Sequence, residues 1–137
     1  MATSTAEEEA IAQKFCGTWR LIGVTRHDPA TGRNVDEGVK YDGVIAYTPD
    51  RRVTVIITRD APGKERFITC YAARWSLGDG HVVHHVDIGT REKREGTDQL
   101  RYYKFEGDVL TLTPPVSPDF TGASTQRSLI WKRIPKP

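Results

Sequence analysis

Three histidines fall within one short segment, His81, His84 and His85, and the spacing H-x-x-H-H invites a metal reading. The segment His81 to Gly89 alternates as a strand does, and that pattern defeats the reading. Successive side chains on a strand point to opposite faces, so His81 and His84 diverge, and His81 lies about 13 Å from His85. Ligand atoms must converge within about 2 Å of the ion. No metal site is expected. An inward His84 offers different chemistry. It could be a general acid or base in a dry pocket, with Tyr71 or Tyr103 as partner and Arg101 stabilising an enolate or oxyanion. The alternative is a core histidine bonded to a tyrosine or a carbonyl. Arg101 divides the same way, between a structural arginine bridging a carbonyl or carboxylate and an anchor for a ligand oxygen. No nucleophile motif, P-loop or dinucleotide fingerprint accompanies these residues. Any catalysis would be cofactor-free proton transfer: isomerisation, cyclisation or elimination. No cofactor is expected.

The elements that must position these groups are mostly strands. Thr5-Ala6-Glu7-Glu8 reads as a capping box opening a short acidic helix from Ala6 to Lys14. Ile11 and Phe15 share its inner face. Residues 1–5 are expected to be disordered. From Gly17 the period changes to two, with Trp19, Leu21, Gly23 and Thr25 on one face. Further strands are expected at Val44–Thr48, Val53–Thr58, Phe67–Ser76, His81–Gly89, Leu100–Phe105, Val109–Thr113 and Gln126–Ile134. Turn residues separate them. His27–Tyr41 reads as a loop and a mobile lid, and Pro114–Thr121 as an irregular crossing. About eight strands with short turns and almost no helix give an antiparallel barrel or sandwich.

Hairpin register assigns faces. A two-residue turn within Gly78-Asp79-Gly80 places Tyr71, Ala73 and Trp75 with Val82, His84, Val86 and Ile88. His85 and Asp87 then lie on the other side, and a three-residue loop would reverse the assignment. A two-residue turn at Gly107-Asp108 places Phe105 beside Leu110, Tyr103 beside Leu112, and Arg101 on the same apolar face. For Val44–Thr58 both faces are half apolar, so Tyr47 stays open to either side. The residues expected to line a ligand are Trp75, Tyr47, Phe105, Val86, Leu112 and Trp131.

Composition excludes several classes. A chain of 137 residues with 37% hydrophobic and 28% charged residues is one ordinary globular domain, expected to span 1–137. A net charge of +2 is too small to argue for nucleic acid. The loop Arg91-Glu92-Lys93-Arg94-Glu95 has bases offset by acids and reads as solvated. No apolar run approaches membrane-spanning length. Met1–Ala10 resembles no targeting peptide, and Cys16 and Cys70 read as reduced, buried thiols. A cytoplasmic protein is expected. Its partner would be a small, largely apolar ligand, with no nucleic acid and no membrane, and with a homodimer as the alternative to a monomer.

Gly17-Thr18-Trp19 together with Trp131-Lys132-Arg133 resembles the signature of the calycins, the lipocalins and their relatives. More closely, the chain is similar to the bacterial and fungal lipocalin-like domain family. The matching pieces are Gly17–Leu21, Ile45–Asp50, Val83–Val86, Gly96–Arg101, Gly107–Leu112 and Leu129–Arg133. The resemblance implies an all-β fold: an eight-stranded antiparallel barrel with a short N-terminal helix. It implies that Trp19 closes one end of that barrel with Arg133 packed over it. It also implies an apolar cavity and a place in secondary metabolism, where some relatives act as cyclases or isomerases. A barrel with a filled interior, acting through its surface, remains the third alternative. Arg51 departs from the pattern, which commonly has Gly after Pro-Asp.

Overall fold

The computed structural model describes residues 5–27, 38–115, 117–118 and 124–136. One helix, α1 (Thr5–Phe15), precedes nine strands. These are β1 (Gly17–His27), β2 (Lys40–Tyr47), β3 (Arg52–Asp60), β4 (Phe67–Gly78), β5 (His81–Gly89), β6 (Asp98–Glu106), β7 (Val109–Thr113), the two-residue β8 (Ser117–Pro118) and β9 (Ser124–Arg133). Neighbours pair antiparallel in chain order from β1 to β7, β7 pairs with β9, and β9 returns to β1. Eight strands therefore close on themselves, and β8 adds only a short pairing onto β9. Closure removes the sheet edges that an open sheet would expose. No helix among the described residues is long and apolar enough to cross a membrane.

The turns set the register. His81 pairs with Gly78, so Asp79-Gly80 is a two-residue turn, and Gly80 takes φ +73°. Val109 pairs with Glu106 across Gly107-Asp108. Both turns need a left-handed residue, which glycine adopts without penalty. The β2–β3 turn solves the same problem with Arg51, at φ +66°. Glycine would adopt that backbone conformation without penalty.

Two β-bulges correct the face assignments. In β1, Leu21 pairs with Trp131 but Gly23 pairs with Ile130, which leaves Ile22 as the extra residue. Val24 then turns inward opposite Leu129, and the alternation expected through Gly23 and Thr25 is broken. In β4–β5, Ala73 pairs with Val86 but Ala72 pairs with Ile88. Asp87 is the extra residue, and Ile88, expected inside, is 64% exposed.

The helix closes one end. Its last carbonyls lack intrahelical partners, and side chains from both chain ends supply them. Trp19 Nε1 donates to Phe15 O at 3.0 Å, while Arg133 donates to Cys16 O at 2.8 Å and Lys14 O at 2.6 Å. The Arg133 guanidinium lies 4.1 Å from the Trp19 ring centre. A Cβ on Gly17 would meet that guanidinium at 2.8 Å, so only glycine leaves room. Phe15 sits at the centre of an aromatic floor, with ring centres of Tyr47, Trp75, Tyr103 and Phe105 at 5.1, 5.7, 5.2 and 4.9 Å. Helix α1 begins at Thr5, one residue earlier than expected, so the residue that would cap it lies outside the described residues. So do residues 28–37 of the expected lid, and residues 116 and 119–121 of the expected crossing.

Candidate functional site

The interior changes character along the barrel axis. Near α1 the inward side chains are fully buried: Trp19, Ile45, Val53, Trp75, Val82, Leu110 and Trp131. Toward the other end the inner wall continues with Val24, Ile57 and Leu129, which are only half-buried. Phe67, opposite Arg59 on the same wall, is 43% exposed.

His84 sits at the boundary. It pairs with Trp75 on β4 and Gln99 on β6, and it is 1% exposed. Its Nε2 lies 2.7 Å from Tyr47 Oη and its Nδ1 2.6 Å from Tyr71 Oη. Burial, reinforced by the nearby charges of Arg101 and His85, pulls its pKa from 6.5 down to about 3. The imidazole is therefore neutral, with one N–H to donate and one nitrogen to accept. One tyrosine donates to it and the other accepts from it. The accepting tyrosine keeps an O–H to spend elsewhere. On Tyr47, 2% exposed and packed against Phe15 and Trp75, that spare donor would be unsatisfied. Such a group costs about 1–3 kcal/mol. Tyr71 is less completely enclosed, at 8% exposed, and borders a narrow crevice with Thr69, Val86, Gly89 and Arg94. Burial thus favours one order: Tyr47 O–H to Nε2, Nδ1–H to Tyr71, and Tyr71 O–H toward the open half. Burial also raises both phenol pKa values, Tyr47 the more, while Arg101 opposes the rise at each.

Arg101 pairs with the buried Val82 and therefore faces inward. It donates to Leu100 O at 2.8 Å and Gln99 Oε1 at 3.2 Å, and Gln99 Nε2 donates to Thr97 Oγ1 at 3.0 Å. Burial lowers the Arg101 pKa, and the two tyrosines Tyr71 and Tyr47 oppose that shift.

The structure thus brings His84, Tyr71, Tyr47 and Arg101 together. It sets Tyr103 elsewhere, edge-on to Phe15 at the helix-capped end. Trp75, Phe105 and Trp131 belong to the packed half. Phe105 contacts Phe15 and Trp19, and the indole N–H groups of Trp75 and Trp131 are buried with no partner among the described residues. Val86 and Leu112 are buried wall residues. His81 and His85 lie on the outer face, where His85 bridges Asp98 and Ser76 at 2.8 Å each. Cys16 and Cys70 are free, half-buried thiols. The loop expected to be solvated is so only in part. Residues 92–94 form a 3-10 turn that carries Arg94 inward, and Arg91 stacks 4.5 Å from the Phe67 ring centre. A shallow cleft of about 650 Å³ on the outer face, lined by Arg20, Asp42, Asp60 and Arg66, is a poor rival. Its charges already pair with each other, Arg20 with Asp42 at 2.7 Å and Arg66 with Asp60 at 2.9 Å.

Residues 64–134, just over half of the chain, match the lipocalin-like domain family. The chain belongs to that family. No curated protein matches it. Membership in this lipocalin-like family agrees with the closed eight-stranded barrel and suggests small-molecule binding in general terms. It names neither ligand nor pathway.

Proposed function

We propose that this lipocalin-like barrel binds one small, largely apolar molecule in its half-buried end. One observation carries the reading: Tyr47 and Tyr71 both hydrogen-bond the buried His84 ring, and a neutral imidazole can satisfy the O–H of only one of them, which leaves one phenolic O–H for a ligand where the wall becomes half-buried. A ligand's apolar body would lie against Val24, Ile57 and Leu129, with an acceptor atom on Tyr71. Barrels of eight strands hold about one such molecule. A role in secondary metabolism belongs to this proposal and rests on the resemblance alone. The test is native mass spectrometry of protein incubated with host extract. A one-to-one adduct is expected, lost in a folded Ile57→Trp variant that fills the open half. An adduct equally occupied in Ile57→Trp would overturn the reading.

A second reading, a cofactor-free isomerase or cyclase, is favoured by the convergence of His84, Tyr71 and Arg101. There the proton would pass through Tyr71 O–H, backed by the imidazole, and Arg101 would steady an enolate. The basicity of His84 counts against it, because an imidazole titrating near 3 is a weak base at neutral pH. Turnover of the identified ligand by the wild type, abolished in both Tyr71→Phe and Arg101→Met, supports this second reading. A ligand recovered unchanged removes it.

A further inference from the structure

Among the described residues the inner wall carries more positive charge than carboxylates balance. Arg101 faces inward beside the tyrosine–histidine chain. Arg127 shares the inner face of β9 with Leu129 and Trp131, and its Nε is buried without a hydrogen-bond partner among the described residues. Arg94 enters from the 3-10 turn and lines the same crevice as Tyr71. The three interact electrostatically: Arg94 feels both Arg101 and Arg127, and Arg101 feels Arg127. No carboxylate among the described residues forms an ion pair with any of them. The acids next to Arg94 point elsewhere: Glu92 is exposed, and exposed Glu95 accepts from Gly89 N. Like charges that interact repel one another, and burial adds to the cost at Arg101 and Arg94. Among the described residues nothing supplies their countercharge, which leaves a place for an anion.

Resting on the binding reading above, we infer that the ligand is an anion: an apolar molecule ending in a carboxylate, sulfonate or similar oxyanion, with its head held by Arg101, Arg127 and Arg94 and by the Tyr71 hydroxyl. The chemistry suits the groups. Arginine forks match two-oxygen anions, and a phenol at the end of a hydrogen-bond chain adds a directed donor. The apolar tail would point along Val24, Ile57 and Leu129, and the head would neutralise the cluster.

Two fluorescent probes of matched apolar body separate the charge from the grease: anilinonaphthalene sulfonate, an anion, and uncharged phenylnaphthylamine. Wild type should bind the sulfonate about ten-fold more tightly or better. Arg101→Met and Arg127→Met should each bring the two affinities together while still binding the neutral probe, which also reports that the barrel is folded. Arg52→Met, on the outer face, should leave the preference intact. Equal affinities in wild type, or a sulfonate preference that survives both inner substitutions, overturn the anion inference and leave the binding reading standing. Failure of wild type to bind either probe overturns both.

Discussion

The two ends of this barrel are built on opposite principles. At the helix-capped end the carbonyls of Lys14, Phe15 and Cys16 have side-chain donors, aromatic rings fill the space, and Arg133 is held between two carbonyls and an indole face. At the other end the wall is half-buried, a buried guanidinium nitrogen has no partner, and one phenolic O–H is left over. The first end is filled by the chain's own rings, with the indole N–H groups of Trp75 and Trp131 buried there without a partner among the described residues. The second leaves, among the described residues, an unpaired donor and positive charge that no carboxylate pairs. Destabilised groups of this kind gather where proteins bind, because an optimised interior would leave a ligand nothing to contribute.

The contrast predicts that substitutions at the two ends will separate stability from binding. Trp19→Ala should have the largest effect. It opens a cavity in the fully packed end and strips the Phe15 carbonyl of its donor, for a loss of about 3–5 kcal/mol read by denaturant unfolding.

Next comes the border. His84 titrates near 3 in the folded chain against 6.5 in the unfolded one. Between those values the unfolded state binds a proton that the folded state refuses. Stability is therefore full above about pH 6.5 and falls as pH drops toward 3, by up to about 1.4 kcal/mol per pH unit. Exposed carboxylates such as Asp42, held low by its bond to Arg20, lose their own stabilisation in the acid part of this range. The His84→Gln variant should therefore show a slope shallower by about one proton, and the difference between the two curves isolates the imidazole. Parallel curves would mean that the buried histidine does not resist protonation.

The open end should behave in reverse. Arg101→Met removes a charge that no carboxylate among the described residues pairs, so unfolding free energy should change by no more than about 1 kcal/mol, in either direction. A loss of several kcal/mol would identify Arg101 as structural.

The smallest effect is expected at Arg51→Gly. Glycine relieves the left-handed backbone, a gain of about 1 kcal/mol. It also removes the stacking on Trp75 at 4.8 Å and the exposed pair with Glu9 at 3.0 Å, which together are worth about as much. The melting temperature should hardly move.

How far the sequence anticipated this contrast follows from which signals are local. Hairpin parity is local, so the two-residue turn at Asp79-Gly80 correctly put Trp75 beside His84, and Gly107-Asp108 put Phe105 beside Leu110. Bulges are not local. Nothing in Ile22 or Asp87 marks it as the extra residue, and so Val24 and Ile88 were assigned to the wrong faces. Arg127 was legible in principle: it lies two and four residues before Leu129 and Trp131, on the face that Trp131 fixes as inward. Arg94 was not, because a charged turn gives no pattern from which the burial of one member can be read. Tyr47 could not be placed from a strand apolar on both faces. Its partnership with His84 spans 37 residues and exists only once the barrel closes.

The most direct test of the account is a methyl-resolved NMR titration of wild type with anilinonaphthalene sulfonate. The account predicts shifts concentrated at Val24, Ile57 and Leu129, with Leu110 and Val53 at the capped end unmoved. Shifts centred on Leu110 and Val53, or confined to outer-face methyls such as Ile22 and Ile68, would contradict it.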